Sequence, residues 1–211
     1  NQVHMKPIAF QGVPGANSEV AARKFFGPRA PTRPLATFDE VFASVEHGRS
    51  SHGIIPIENS LAGSIHQNYD LLLKHRLTIA GELSLRIEHA LLAPRGVRFR
   101  SLRMVRSHPQ ALAQCSEFFR KHRGLRPVSY FDTAGAAESL AAEKHPDTGA
   151  IANAYCARLY GLSVLRRNIE NRENNITRFL VIAKKGRPVR KGKAAKTSLV
   201  FVPARNEVGI L

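Results

Sequence analysis

"GIIPIENSLAGSIHQNYDLLLKH" (53–75) passes from a short apolar run, through a polar loop, into a helical pattern. Ile54–Ile57 reads as a strand, and Gly63-Ser64 as the cap of the helix that follows. Capping accounts for Ser64. It does not account for Glu58, Asn59 and Ser60, three consecutive polar side chains where the strand ends. If this unit belongs to a parallel sheet covered on both faces, residues at that end of the strand face the ligand crevice.

The same order recurs along the chain. "KPIAFQG" is a strand, and "NSEVAARKFFG" a helix with its N-cap at Asn17 or Ser18 and a stop at Gly27. "TFDEVFASVEHG" carries a Thr37/Glu40 capping box ahead of Phe38, Val41, Phe42 and Val45 at helical spacing. "RLTIAGELSLRIEHALLA" reads as one long extended stretch, and "RMVRSH" and "RPVSYF" bracket the helix "PQALAQCSEFFRKHRG". "TAGAAESLAAEKH", "GAIAN", "AYCARLYG", "SVLRRNI" and "ITRFLVIAK" then alternate helix and strand. This pattern predicts an α/β protein with parallel or mixed sheets.

The loops that follow the strands are "GVPGANS", "ENSLAGS", "SHPQ", "DTAG" and "NAY". They are rich in amides, hydroxyls and glycine and poor in ionisable groups, unlike a carboxylate-pair hydrolase or a metal site. No cofactor and no metal are expected. "GVPGANS" leads into a helix N-terminus, where an anion is favoured, but matches neither a dinucleotide fingerprint nor a P-loop; a simple tight turn explains it equally well. Ser107 ends a strand ahead of Pro109, a first-turn proline, so it serves at least as an N-cap. Gln114 shares a helix side with Ala111 and Phe118, which invites a hydrogen-bonding role.

The 211 residues can hold one or two folding units. Cys115 and Cys156 sit in apolar, helix-like surroundings and read as small core residues in a reducing compartment. No apolar run of about 18 residues is present and no secretory signal pattern opens the sequence, so a cytoplasmic location is expected. The net charge is +16, yet "KKGRPVRKGKAAK" (184–196) holds seven basic residues and no acidic one, so nearly half the excess lies in a solvated linker. The remaining charge flanks apolar segments without aromatic interleaving, which argues against nucleic acid or membrane as partner. After the linker, "KTSLVFVPARNEVGIL" (196–211) begins a new strand pattern too short to bury a core of its own.

Taken together, "FQGVPGANSEVAA", "IPIENSLAGSIHQNYDLL", "SHPQALAQC", "DTAGAAE", "AIANAYCARLYGL" and "NNITRFLVI" resemble the prephenate dehydratase family, which includes arogenate-using plant relatives. The resemblance implies two α/β lobes around a central cleft, similar to type II periplasmic-binding-protein architecture. Lobe 1 would take about 1–83 plus 176–185, and lobe 2 about 84–170, within a catalytic domain of 1–185. A basic linker of 186–195 would precede the start of a truncated ACT regulatory domain at 196–211. The last residues, Gly209-Ile210-Leu211, stand where that domain's effector-binding motif would begin, so a phenylalanine effector is expected only with a complete ACT domain. A homo-oligomer, dimer or tetramer, is expected.

The implied reaction turns prephenate into phenylpyruvate, water and CO2. The alternatives are an arogenate dehydratase or a non-catalytic small-anion binder. Asn17 departs from the aromatic usual in the plant forms, and prephenate is the favoured substrate. The Thr-Arg-Phe motif falls on Thr177, Arg178 and Phe179. Thr177 is expected to donate a hydrogen bond to the departing hydroxyl, with Asn59, Ser107 and Gln114 completing the donor set and Ser60 binding substrate. Glu58 is the alternative acid. Arg178 would grip the side-chain carboxylate or form an ion pair with Glu170 or Glu173. Phe179 is expected in the core, and His108 as an ordinary loop residue.

Overall fold

The computed structural model describes residues 6–143, 145–184 and Lys196. The expected linker (186–195) and, apart from Lys196, the expected start of an ACT domain lie outside the described residues. The chain begins β1 (Ile8–Gln11), α1 (Asn17–Phe26), β2 (Thr32–Leu35), α2 (Phe38–Glu46), β3 (His52–Asn59), β4 (Gly63–Ser64), α3 (His66–Lys74) and β5 (Thr78–Arg86). It continues through β6 (Ala90–Ala93), β7 (Met104–Ser107), α4 (Pro109–Gln114), α5 (Ser116–Lys121), β8 (Arg126–Ser129), α6 (Thr133–Glu143), β9 (Thr148–Ala152), α7 (Ala154–Tyr160), β10 (Ser163–Arg166) and β11 (Ile176–Ala183).

These strands form two mixed sheets, β2-β1-β3-β11-β5 with β4 on β3, and β10-β6-β9-β7-β8. In the first, β1 pairs in parallel with both β2 and β3, and β11 runs antiparallel between β3 and β5. The sequence of β3 explains its central place. Ile54, Ile55 and Ile57 are all buried, because Ile54 packs with α1 residues Ala21 and Ala22 on one face while Ile55 and Ile57 pack with Val41 and Phe42 of α2 and Leu71 of α3 on the other. A strand covered on both faces needs an apolar run rather than alternation. The second sheet is sandwiched likewise, between α6 and α7 on one side and α4 and α5 on the other. The two-lobed α/β arrangement expected from the sequence is therefore present.

Local signals vary in how they are realised. The capping box is formed: Thr37 Oγ1 accepts from the Glu40 amide and Glu40 Oε2 from the Thr37 amide, each at 3.2 Å. α1 instead has Ala16 as its N-cap, with Asn17 and Ser18 already inside the helix. Ser64 is not a cap but sits in β4, opposite Glu58, and the cap position of α3 belongs to Ile65. The helix expected over 109–124 breaks at Cys115 (φ −111°) into α4 and α5. The long extended stretch is two strands in two sheets, β5 reaching Arg86 before the chain crosses to β6. β2, "TRPL", is an edge strand whose proline and basic residue gave no strand pattern. Cys115 and Cys156 are fully buried, and burial pushes both thiols up to about 12.

Candidate active site

Two bridges join the lobes. At the first, the chain crosses twice between sheets, and the crossing segments bond to each other through Ile87 N to Asn175 O (2.8 Å) and Ile169 N to His89 O (3.1 Å). A line of amide side chains sits on this crossing. Asn59 Nδ2 donates to Thr177 Oγ1 (2.9 Å) and Asn175 Oδ1 (2.8 Å), Asn175 Nδ2 donates to Gln114 Oε1 (3.0 Å), and His89 Nε2 lies 2.7 Å from that same oxygen. The shared acceptor assigns the proton of His89 to Nε2.

The direction of the line is fixed at Asn59. Its Oδ1 accepts from the amides of Leu61 (3.0 Å) and Ala62 (2.9 Å), closing a turn on the loop after β3, so its Nδ2 must face Thr177. The antiparallel register then sets Thr177 directly opposite Asn59. A hydroxyl has one proton to give and two lone pairs to receive with. Thr177 receives from Asn59, and among the described residues its own proton has no acceptor. That proton is available to the space Thr177 lines.

The second bridge is the loop ahead of α1 docked on lobe 2. Tyr160 Oη donates to Pro14 O (2.6 Å), and Asn153 Nδ2 donates to Gly15 O (2.8 Å) and Asn17 Oδ1 (3.0 Å). Gly15 has φ +89°, and a Cβ there would lie 2.8 Å from Cys156 Sγ, so only glycine fits. The tight-turn reading of "GVPGANS" thus describes this loop.

Between the bridges lies a cavity of about 330 Å3 lined by both lobes. Asn59, Gln114, Asn175, His89 and Thr177 line it from the first bridge, and Ala16, Asn17 and Ser18 from the start of α1. Asp132 and Thr133, at the start of α6, complete the lobe 2 wall, with Phe179 and Ile87 supplying apolar surface. Among the described residues no lysine or arginine lines the cavity, and Asp132 is the one acidic side chain that does. The start of α1, which has no side-chain cap, can take a carboxylate in place of a cation, whereas the start of α6 is capped by Asp132. No described group of three or more His, Cys, Asp or Glu side chains is placed to hold a metal ion.

Of the residues singled out in the sequence, Thr177, Asn59 and Gln114 come together here. Ser107 does not line the cavity: it is fully buried and its hydroxyl donates to Ile151 O at 2.7 Å within the second sheet. It is not the cap of α4 either, since His108 takes that position, accepting from Gln110 N (3.2 Å) through Nδ1, and lines the cavity. Ser60 ties its loop to β11, donating to Asn174 O (2.6 Å) and accepting from Ile176 N (2.9 Å). Glu58 and Arg178 are exposed and lie outside the cavity, because consecutive strand residues point to opposite faces. Arg178 donates to Glu82 (2.9 and 3.2 Å), not to Glu170 or Glu173. Lys196 also contacts Glu82, and these two hydrogen bonds hold the Glu82 carboxyl below the ordinary carboxylate range. Glu170 instead accepts from the His89 amide (3.0 Å) beside Arg86 (3.5 Å). Phe179 is buried in the core, as expected.

Two participants escaped the sequence reading. Asn175 stands in the quoted "NNITRFLVI", where a second amide before a buried strand was the available signal. His89, inside "RIEHA", offered none, since its neighbours give no hint that the chain changes sheets there.

The prephenate dehydratase family profile matches residues 8–187. The chain is 48% identical to arogenate dehydratase 2 of Petunia hybrida over 92% of its own length and 49% of the relative's. It is 45% identical to the chloroplastic arogenate dehydratase/prephenate dehydratase 1 of Arabidopsis thaliana, again over 92% and 49%. It therefore spans about half the length of the curated relatives it matches. The chloroplastic location of such plant relatives overturns the expectation of a cytoplasmic protein. Among solved structures, the prephenate dehydratase of Arthrobacter aurescens in complex with L-Phe superposes with a TM-score of 0.80 at 27% identity, over 88% of this chain and 63% of that one. A quorum quenching acylase superposes at 0.78 with 40% identity, over 87% and 65%. With the matched profile extending over nearly the whole of both lobes, the chain belongs to the prephenate dehydratase family.

Proposed function

We propose that the chain catalyses the decarboxylating dehydration of a cyclohexadienol diacid, prephenate giving phenylpyruvate or its amino counterpart arogenate giving phenylalanine. The observation that carries this reading is the Asn59 to Thr177 hydrogen bond, which leaves the Thr177 hydroxyl free to donate into the cavity it lines. In the reaction the bond from ring to carboxylate breaks, its electron pair enters the ring, and the hydroxyl at the opposite ring carbon leaves. Aromatisation drives the step. Thr177 is a poor acid, so its part is to donate a hydrogen bond that strengthens as charge builds on the leaving oxygen, with the proton that completes water coming from solvent. Asn59 holds the threonine, and Asn175 and Gln114 hold Asn59 against lobe 2.

The side-chain carboxylate is assigned to the amides at the start of α1, where no side chain caps the helix. A cation clamped on the ring carboxylate would stabilise the ground state and oppose the loss of CO2, so a cavity wall without lysine or arginine suits this chemistry. An acylase, as the 40% identical structure is described, would need a nucleophile polarised by a base. Among the described lining residues no hydroxyl is hydrogen-bonded to a histidine, and the partner of Thr177 is an amide. Residues 196–211 are inferred to belong to an ACT domain, through which phenylalanine would exert control. The test is to mix the chain with prephenate and with arogenate and follow phenylpyruvate by ultraviolet absorbance and phenylalanine by chromatography. Turnover of neither ends the dehydratase reading.

A further inference from the structure

We propose that Asp132 selects the substrate's side chain, its carboxylate receiving the α-ammonium of arogenate so that the amino substrate is preferred over the keto substrate. The inference rests on the dehydratase reading and deepens it.

Asp132 opens α6, and its Oδ1 accepts from the Gly135 amide at 2.8 Å. Among the described residues, its second carboxylate oxygen has no hydrogen-bond donor. The cap and the helix dipole both suit aspartate here, but asparagine and serine cap helices as well, so the cap does not require the charge. The charge stands in a cavity whose described wall has no lysine or arginine to neutralise it. A lone carboxylate in a pocket for a diacid repels its own ligand unless the ligand brings a cation.

Prephenate and arogenate share the ring, the hydroxyl and both carboxylates. They differ in one group, a keto oxygen against an ammonium, on the side chain para to the hydroxyl. With the hydroxyl at Thr177 on the first bridge, the side chain extends away from that bridge toward the starts of α1 and α6. These two starts adjoin, since a Cβ at Gly15 would lie 3.5 Å from Cβ of Ala134, two residues beyond Asp132. The amino-acid end of arogenate then meets a matched pair, its carboxylate at the α1 amides and its ammonium at Asp132, in a charge-assisted hydrogen bond. The keto-acid end of prephenate offers only acceptors, and its oxygen facing Asp132 is an unpaired contact that works against it.

The experiment measures kcat/KM of the full chain for both substrates, in the wild type and in Asp132→Asn, which keeps the cap. We expect the wild type to favour arogenate, and the ratio of the two values to fall at least tenfold in Asp132→Asn while the melting temperature is held. Asp132→Ser, a second capping variant, should lose the ratio in the same way. Calorimetric binding of each substrate to Thr177→Ala, whose turnover is slowed, with and without Asp132→Asn, should show the same loss as a ratio of Kd values. A wild type that prefers prephenate, or a ratio within twofold of wild type in the variants, overturns the assignment while leaving the dehydratase intact. Turnover of neither substrate removes the dehydratase and this inference together.

Discussion

The two faces of one strand pair, β3 and β11, make opposite use of neighbouring residues. Facing the cavity, Asn59 and Thr177 lie opposite each other, neutral, tied by a 2.9 Å hydrogen bond and braced by Asn175 and Gln114. Facing solvent, Glu58 and Arg178 also lie opposite each other, and Arg178 turns to Glu82 on β5. The charged pair looks more like chemistry, yet the neutral pair holds the hydroxyl that lines the cavity. In a partly buried site, an amide whose donor direction is fixed by its own turn does more to place a hydroxyl than a charge on an open face.

The largest expected effect comes from breaking the inner face at its end. Thr177→Ala should lower kcat by about a hundred- to a thousandfold, the scale of losing one transition-state donor, with little change in KM. Thr177→Ser should recover most of that rate. An alanine variant that turned over at wild-type speed would take the threonine out of the reaction.

Asn59 sharpens the comparison, because it can be altered in two ways. Asn59→Ala should cost about 0.5–1.5 kcal/mol of stability by removing the turn that Asn59 Oδ1 closes on the exposed Leu61 and Ala62 amides, as well as lowering kcat. Asn59→Asp keeps the acceptor for those amides but reverses the bond to Thr177, which must then donate to the new carboxylate. Its kcat should fall nearly as far as in Thr177→Ala. If Asn59→Asp kept its activity, the direction of the hydrogen bond would be irrelevant. A smaller effect is expected at the other bridge. Gly15→Ala meets both a positive φ and Cys156 Sγ, and should cost about 1–3 kcal/mol in denaturant titration while raising KM more than it lowers kcat.

Much of this was legible because each strand and helix carries its own local pattern. Most of the order of elements, the Thr37/Glu40 box and the polar ends of β3 and β7 are readable from spacing alone. The pairing of β3 with β11 is not. It joins residues more than a hundred positions apart, and with it comes the knowledge that Thr177 faces in and Arg178 out. Ser107 shows the same gap: a hydroxyl at a strand end could serve the crevice or a neighbouring strand, and only the position of Ile151 O, on β9, settles which. The change of sheet at Ile87–His89 was hidden inside a continuous extended run, and His89 with it.

The smallest effect belongs to the outer face, where it tests the comparison from the other side. Arg178→Ala should leave kcat/KM within about threefold and change stability by about 0–1 kcal/mol, as for exposed ion pairs in general. The pH dependence has a definite sign. The Glu82 carboxyl is held below its ordinary value by Lys196 and Arg178, so its folded form binds a proton less readily than its unfolded form. Its contribution is therefore present at neutral pH and disappears as the pH falls through the lowered folded value. Melting temperatures of wild type and Arg178→Ala should differ slightly at pH 7, converge in acid, and converge again in strong salt. A large rise in KM for Arg178→Ala, unaffected by salt, would mean that the guanidinium leaves Glu82 to hold substrate, and the division between a neutral working face and a charged outer one would fail.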